Sequence, residues 1–556
     1  MTFWEHFLRL LPRKPLPAVT ALYWHLTRRR VRAQNRLRIA SADLDFPYEV
    51  WIAQHERNSE LAGDFRRAIG RWTQKPRFAV LLHSPGPYTP DQLQRSTRSV
   101  DDQIYPTSDR VDASTASLAR ALAGIDADFF VPLRVGDVLS EAALFRFAEA
   151  MQSNAGSKIY FGDHDHLDER GRRRRPWFKP QWNDEMFLAQ DYLSAACAIE
   201  LDLARKVAPQ ADGLSALLLA AAAHAGEPIV HVPHILSHVA TAPDDQPERL
   251  EAVRRHLQPL GGACGPGPYG TTKVEWPLPA NLPLVSIIVP TRDKLELLRP
   301  CMQGLLERTS YANFEILIVD NESVERRTSE YLAEIAGDPR VRVVPFPGPF
   351  RFGAMNNHAA ELARGDFICL LNNDTEIIDP VWLTELMRYA VRPDIGAAGA
   401  KLLYEDGSIQ HAGVIIGIGG AAGHAHRFLP AGDPGYFRQA HVAQFVSAVT
   451  AACLVVSKRK FQTVGGLDEA ELPVAFNDVD LCLKLQKAGW RNVYVPHAVL
   501  LHHESKSRGS DTSRRNIGRF RREERVLQDR WGTQAFSDPL FNPNLDPGTE
   551  TFVIRL

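Results

Sequence analysis

Gly365-Asp366-Phe367-Ile368-Cys369-Leu370-Leu371-Asn372-Asn373-Asp374-Thr375 is the stretch on which the reading of this chain turns. Phe367 to Leu371 is a short, unbroken apolar run, the pattern of a parallel strand buried on both faces. It stops at two amides and a carboxylate. Open α/β sheets bind ligands outside the carboxyl ends of their strands. An acid placed there among hard oxygen donors suits Mg²⁺ or Mn²⁺ carrying a diphosphate. The same tripeptide also reads as an Asx-turn or cap leading into Pro380-Val381-Trp382.

The residues just upstream favour the first reading. Leu284 to Pro290 is a strand, and Thr291-Arg292-Asp293 opens a helix through Leu295, Leu298, Met302, Leu305 and Leu306. Phe314 to Val319 is a second strand that ends in Asp320-Asn321-Glu322-Ser323, and Val341 to Val344 is a third. A helix through Asn356, Asn357, Ala360 and Ala363 then leads back to Phe367. Two neighbouring strands therefore deliver Asp320 and Asp374 to one sheet edge, one acid for a base or ribose and the other for a metal. Downstream, Asp478 stands just before a helix through Val479, Cys482, Leu483 and Leu485. It reads as a helix cap or as an ionised general base.

The 556 residues exceed what one core holds and predict two to four domains at about 150 residues each. Hydrophobic content of 44% with 24% charged residues is that of an ordinary globular protein. Lys plus Arg (65) nearly balances Asp plus Glu (66), so no global field argues for nucleic acid. The six cysteines are scattered without a CxxC pair, which argues against structural zinc and for a reducing compartment. With no long apolar span and no signal-peptide pattern, a cytoplasmic protein is expected.

Residues 1–40 carry apolar positions at helical spacing (Trp4, Phe7, Leu8, Leu11, then Val19, Leu22, Tyr23, Leu26) among many arginines. Two readings stay open: peripheral contact with an anionic membrane surface, or packing on the chain's own domain with a solvated basic face. Residues 41–270 alternate apolar runs (Phe78–Leu82, Phe129–Leu133, Ile159–Phe161) with helical segments, which predicts a first α/β unit. Within it, His164-Asp165-His166-Leu167-Asp168 runs into Arg170 and Arg172 to Arg175, and reads as a charge-compensated turn rather than a metal site. Prolines 266, 268, 277, 279 and 283 mark a linker, so a second unit spans 271–510. Residues 511–556 form a basic helix and a tail.

Leu284–Pro290, Val319-Asp320-Asn321-Glu322-Ser323, Leu371-Asn372-Asn373-Asp374-Thr375-Glu376, Gly465-Gly466-Leu467-Asp468-Glu469 and Phe476-Asn477-Asp478-Val479-Asp480-Leu481 resemble, in order, the family-two glycosyltransferases. The likeness is to the rhamnosyltransferase-like branch of bacterial O-antigen and capsule synthesis, and it covers about residues 270 to 540. It implies a GT-A (Rossmann-like) nucleotide-sugar-binding domain, preceded here by a degenerate, non-catalytic GT-A-like α/β domain. It further implies an inverting, Mg²⁺- or Mn²⁺-dependent transfer from a dTDP- or UDP-linked sugar to a glycan or lipid-linked acceptor. Carried over by motif, Pro290, Thr291, Asp320, Asn356, Asn372 and Asn373 line the nucleotide-sugar, Asp374 and His503 hold the metal, and Asp478 is the base. His503 reads equally as a solvated loop residue and Asn356 as helix packing. Asn372 and Asn477 stand where the family more often has acids, which keeps open a rival reading as an inactive glycan-binding or scaffold protein. The resemblance also suggests that Gly417–His424 shapes the acceptor side. In the first half, Arg134-Val135-Gly136-Asp137 replaces the expected acid cluster, and Asp212–Leu218 lacks the carboxylates of the base segment.

Overall fold

A computed structural model describes residues 2–27, 30–41, 44–56, 58–112, 118–240, 246–503 and 516–556. Arg28, Arg29, Arg514, Arg515 and the Glu504–Ser507 part of the motif after His503 lie outside the described residues. The chain folds as two α/β halves. Strands β1 (Phe78–His83), β2 (Asp109–Asp112), β3 (Phe129–Arg134), β4 (Val138–Leu139), β5 (Ile159–Leu167), β6 (Arg173–Trp177), β7 (Cys197–Glu200) and β8 (Val230–Val239) build the first sheet. The proline-rich stretch expected to be a linker holds a hairpin, β9 (Ala263–Pro266) with β10 (Thr272–Glu275). Gly267 and Gly270 let it turn back on itself where prolines alone would have kept it extended.

The second sheet comprises β11 (Val285–Thr291), β12 (Phe314–Asp320), β13 (Val341–Pro345), β14 (Phe367–Leu371), β15 (Thr375–Ile377), β16 (Ile395–Leu403), β17 (Ile409–His411), β20 (Gln444–Val446), β21 (Cys453–Ser457) and β22 (Arg491–His502). A separate hairpin, β18 (Val414–Ile416) with β19 (Ala422–His424), stands beside it. The first sheet runs β2-β1-β3-β7-β5-β8-β4, with β6 on β5. The second runs β13-β12-β11-β14-β21-β16-β22-β15, with β17 on β16. Apart from the extra edge strand β13 and the short β20 on β22, the orders coincide. So do the senses: β1/β2 and β1/β3 are parallel as β11/β12 and β11/β14 are, while β3/β7 and β14/β21 are antiparallel. Such agreement in order and sense is a structural repeat.

Local sequence explains the tight places. Every residue of β11 is buried, as its apolar run demands. Gly365 precedes β14 where a Cβ would lie 2.6 Å from Leu284 O, so only glycine lets β14 start beside β11. None of the six cysteines is cross-linked, and five are buried. No helix among the described residues is long and apolar enough to cross a membrane.

The N-terminal helices Phe3–Leu10, Pro15–Leu26 and Arg30–Ser41 enclose a small core of their own around Phe3, Phe7, Leu10, Ala18, Ala21 and Leu37. The C-terminal helix Ile517–Trp531 lies on the second half, and the tail beyond it crosses to the first. Asp538, in this tail, is 4% exposed and accepts from Ile416 N (2.6 Å) and Leu540 N (2.8 Å). Burial raises its carboxyl to about 6, against the smaller opposing effect of the Ile416, Ser447 and Leu540 hydrogen bonds. A carboxyl raised in the folded state favours folding while it is protonated, and that contribution is lost as pH climbs from its ordinary 3.8 through 6. Chemical denaturation of the wild type and Asp538→Asn from pH 4 to 7 is expected to show the stability difference, wild type minus variant, falling by about 2 kcal/mol. A difference independent of pH would contradict this account.

Candidate functional site

The carboxyl ends of β11, β12 and β14 meet at one edge, in the order that the apolar runs require. Pro290 and Thr291 close β11 in register with Val319 and Asp320 of β12. Thr291 Oγ1 accepts from Asn373 Nδ2 at 2.9 Å, both residues being buried. Asn373 thus straps the end of β14 to the end of β11. Asp320 is half-buried and its Oδ1 accepts from Ser323 N (3.2 Å) and Ser323 Oγ (2.5 Å). The loops behind both strands are latched together. Ser323 Oγ accepts from Asp293 N (2.8 Å), and Asp293 Oδ1 accepts from Val324 N and Glu325 N, each at 2.8 Å. Asp293, Lys294 and Glu322 hold left-handed backbone (φ 53°, 58° and 56°), conformations that persist where surrounding structure enforces them. Motif reading passed over Asp293 and Ser323.

Asp374 is 3% exposed and lies against the side of a histidine, which is His502 rather than His503. His502 Nδ1 faces Gln410 Oε1 at 2.6 Å and donates to it. That tautomer leaves a lone pair on Nε2, which takes a hydrogen from Asn372 Nδ2 at 3.0 Å. Asp374 Oδ1 stands 3.1 Å from the same Nε2. A carboxylate oxygen and an imidazole nitrogen side by side are the donor types of a hard or borderline divalent cation, which would have to displace the Asn372 hydrogen from Nε2 to use its lone pair. Among the described residues no group of three or more His, Cys, Asp or Glu converges. Two protein ligands still suffice for Mg²⁺-like ions, which take their remaining oxygens from phosphates and water.

The metal role expected for His503 is corrected by this geometry. Its backbone N donates to Asp374 O (2.9 Å), but its ring turns away. Nε2 meets Glu376 Oε1 at 2.7 Å and Nδ1 meets Glu405 Oε1. Burial pushes this imidazole down, but the hydrogen bonds to Glu376 and Glu405 win and hold it above the ordinary histidine value. With both nitrogens donating, no lone pair remains for a cation. Along β22, Ala498, Leu500 and His502 are buried while Val499 and Leu501 are half-exposed, so His502 continues the inward face.

Asp478 begins the helix Asn477–Lys487 and is half-buried. Its Oδ2 accepts from Ala451 N (3.0 Å) and its Oδ1 from Val479 N (2.9 Å). The next carbonyl, Ala452 O, accepts from Asn372 N at 3.1 Å. One bend, Thr450–Ala452, therefore anchors both the end of β14 and the start of this helix, bringing Asp478 to the edge that carries Asp374. Asp480, two residues on, is fully buried and meets Arg530 Nη1 (2.8 Å), Lys484 Nζ (3.1 Å) and Trp531 Nε1 (3.0 Å). It is a structural charge. Asn477 is buried and donates to Val474 O (3.0 Å), closing the turn before the helix.

Asn356 is buried in the helix Phe352–Leu362 and donates to Phe352 O at 2.8 Å, one turn back. Its neighbour Asn357 is the one that reaches out, donating to Leu467 O and Glu469 Oε1 (2.8 Å each) and accepting from Leu467 N (3.0 Å). It thereby clamps the Gly465-Gly466 turn to the helix. The glycine-rich 417–424 stretch is the β18–β19 hairpin, and the C-terminal segment covers it. Gly420 O accepts from Thr533 Oγ1 (2.8 Å), and Gly419 N donates to Pro547 O (3.1 Å).

Residues 286–447 match the family described as Glycosyl transferase family 2. The uncharacterized protein y4gI of Sinorhizobium fredii is 41% identical over 441 residues, 75% of this chain and 48% of that protein. The O-antigen biosynthesis protein RfbC of Myxococcus xanthus is 32% identical over 554 residues, 90% of this chain and 42% of that protein. The N-acetylglucosaminyl-diphospho-decaprenol L-rhamnosyltransferase of Mycobacterium tuberculosis is 29% identical over 251 residues, 41% of this chain and 78% of that protein. The chain spans less than half the length of the first two relatives. With the motifs in order, residues 286–447 are similar to glycosyl transferase family 2, the second half is similar in sequence to a rhamnosyltransferase, and the two α/β halves repeat one sheet topology.

Proposed function

We propose that the second half transfers a sugar from a nucleotide-sugar, dTDP- or UDP-linked, to a glycan or lipid-linked acceptor in bacterial surface polysaccharide synthesis, with inversion. The single observation that carries this is the Thr450–Ala452 bend, which anchors the strand end bearing Asp374 and the helix start bearing Asp478. Asp320 and Thr291 at the neighbouring strand ends suit the nucleoside, with Pro290 and Asn373 beneath them. The names of the relatives, O-antigen biosynthesis and L-rhamnosyl transfer to a diphospho-decaprenol-linked sugar, support the pathway and the acceptor class.

Asp374 and His502 would hold Mg²⁺ or Mn²⁺, which supplies positive charge against the departing diphosphate. Asp478, held at the helix start by Ala451 N and Val479 N, is the carboxylate placed to act as the base. An acceptor hydroxyl oxygen attacks the anomeric carbon on the face opposite the diphosphate, through an oxocarbenium-like state. The carbon–oxygen bond to the diphosphate breaks, and Asp478 receives the hydroxyl proton. One displacement of this kind inverts the anomeric centre.

Loss of the base is expected to lower kcat by 10²- to 10⁴-fold in Asp478→Asn with little change in donor KM. The readout is nucleoside diphosphate released from a panel of nucleotide-sugars with Mn²⁺. Equal turnover in the variant would leave Asp478 as a cap. For the metal, His502→Ala is expected to weaken Mn²⁺ binding at least tenfold by calorimetry, whereas His503→Ala leaves it within twofold. The reverse order would restore His503 as the ligand.

We also propose peripheral contact with the inner face of the cytoplasmic membrane through the first two helices. One face of this pair packs inward, while Trp4, Leu8, Leu16, Val19, Tyr23 and Leu26 stand exposed near Arg9, Arg13 and Lys14. Exposed apolar side chains bordered by basic ones are the composition of an interfacial helix on anionic lipid. Sedimentation with phosphatidylglycerol vesicles is expected to carry the chain down, and to do so several-fold less for Leu16→Asp/Tyr23→Asp. Equal sedimentation of the two would remove the proposal.

A further inference from the structure

Between the halves lies a partly open cavity of about 1700 Å³. Its floor is the carboxyl edge of the first sheet. His83 ends β1, Arg134 ends β3, Asp137 precedes β4, and Gly213 to Ser215 begin the helix Leu214–His224. By the repeat in topology these places correspond to Thr291, the Asn372–Asp374 turn and the Asn477–Asp478 helix start of the second half. The first half has lost the acids and kept the cleft. Segments of the second half and the tail, Asp433–Arg438 and Thr551–Ile554, wall it over.

The arginine run singled out in the sequence ends at this cavity. Arg172 pairs with Asp168, Arg173 with Glu56 and Asp165, and Arg174 with Asp45 and Asp168. Arg175 breaks the pattern. Its backbone is left-handed (φ 46°), and its exposed guanidinium has no hydrogen bond or ion pair among the described residues. From the other half comes Arg438, also left-handed (φ 69°), exposed and without such a partner. Burial and then the charge of Arg175 push Arg438 below the ordinary arginine value, so the two cations feel each other. The five carboxylates of the lining, Glu248 among them, all have partners. Asp137 accepts from Ala240 N, Asp191 from Leu193 N and Ser194 N, Asp433 from Gly435 N, and Asp212 pairs with Arg255. Two unpaired arginines lining one cavity suit an oxyanion, and guanidinium is the group that grips phosphate.

The rest of the lining is not that of an ion site. Both amide atoms of Gln190, His164 Nδ1, Trp177 Nε1 and His426 Nε2 have no hydrogen-bond partner among the described residues, and each of these residues is more than nine-tenths buried. Burial keeps His164 and His426 neutral at physiological pH, so each imidazole both donates and accepts. Neutral groups able to do either suit hydroxyls, and the volume exceeds the roughly 300–1,000 Å³ of a site for one small molecule.

We propose that this cavity binds a phosphorylated saccharide, its phosphate between Arg175 and Arg438 and its hydroxyls toward Gln190, His164 and His426. The saccharide half of the assignment rests on the transferase reading, whereas the oxyanion half stands on the two arginines. Calorimetry on the full chain without divalent metal, with glucose 1-phosphate, a short-chain prenyl-diphosphate-linked sugar, inorganic phosphate and glucose as probes, tests both halves. The sugar 1-phosphate or the prenyl-linked sugar is expected to bind at least tenfold tighter than inorganic phosphate or glucose, and the tighter of the first two names the source. Arg175→Ala/Arg438→Ala is expected to lose that binding tenfold or more with an unchanged or higher melting temperature, and Arg438→Gln to lose part of it. Asp374→Ala should bind as the wild type does, which separates this cavity from the transfer site. Binding that survives the double substitution, or that disappears in Asp374→Ala, overturns the proposal. Inorganic phosphate matching the sugar phosphates overturns its saccharide half.

Discussion

The arrangement of the two halves depends on Asp163, a fully buried carboxylate in β5. Its Oδ1 accepts from Lys179 N and His231 Nε2 at 2.8 Å each, and its Oδ2 from Asn542 Nδ2 at 3.0 Å. A charge removed from water is tolerated only when such bonds satisfy it, and taking one partner away leaves the rest exposed to the full cost. Those partners belong to the segment after β6, to β8 and to the C-terminal tail. Lys179 is itself wholly buried, donates to Gly162 O at 2.6 Å, and is pulled by burial down to about 8 against the attraction of Asp163. Through this one carboxylate the tail is stitched to the first sheet.

Neighbouring contacts extend the seam. Gln181 N donates to Pro539 O (2.8 Å), Phe178 N to Tyr436 Oη (2.9 Å), and Asn183 Nδ2 to Phe445 O (2.9 Å). Phe437 then stacks on Trp177 with centroids 4.6 Å apart and planes within 3°. The same seam brings Arg438 to the cavity that Arg175 also lines.

The two copies share a topology and differ in electrostatics. At the ends of its strands the second half places Asp320 and Asp374, so an anionic ligand must come with a cation. At the places matching Asn372 and Asp374 the first half has Arg134 and Gly136. Fold and chemistry have separated here, as expected when function resides in side chains at strand ends rather than in the sheet itself.

Much of this was written locally in the chain. The apolar runs from Phe78, Phe129, Val285, Phe314 and Phe367 became strands because each needs burial on both faces, and their order with the intervening helices set a parallel α/β core. That Asp320 and Asp374 end strands at one sheet edge follows from the same periodicity, but the two strands expected to be neighbours, β12 and β14, flank β11. The identity of the histidine beside Asp374 did not, because His502 and His503 are adjacent, and only the register of β22 on β15 (Thr375 opposite His502) decides which faces inward. The prolines of 266 to 283 gave no sign of the β9–β10 hairpin, and the arginine run gave none that three members would be paired and the fourth left for the cavity. Short-range pattern fixes which face of an element is apolar. Which partner a polar group finds across hundreds of residues, as Asp163 finds Asn542, is decided only when the elements pack.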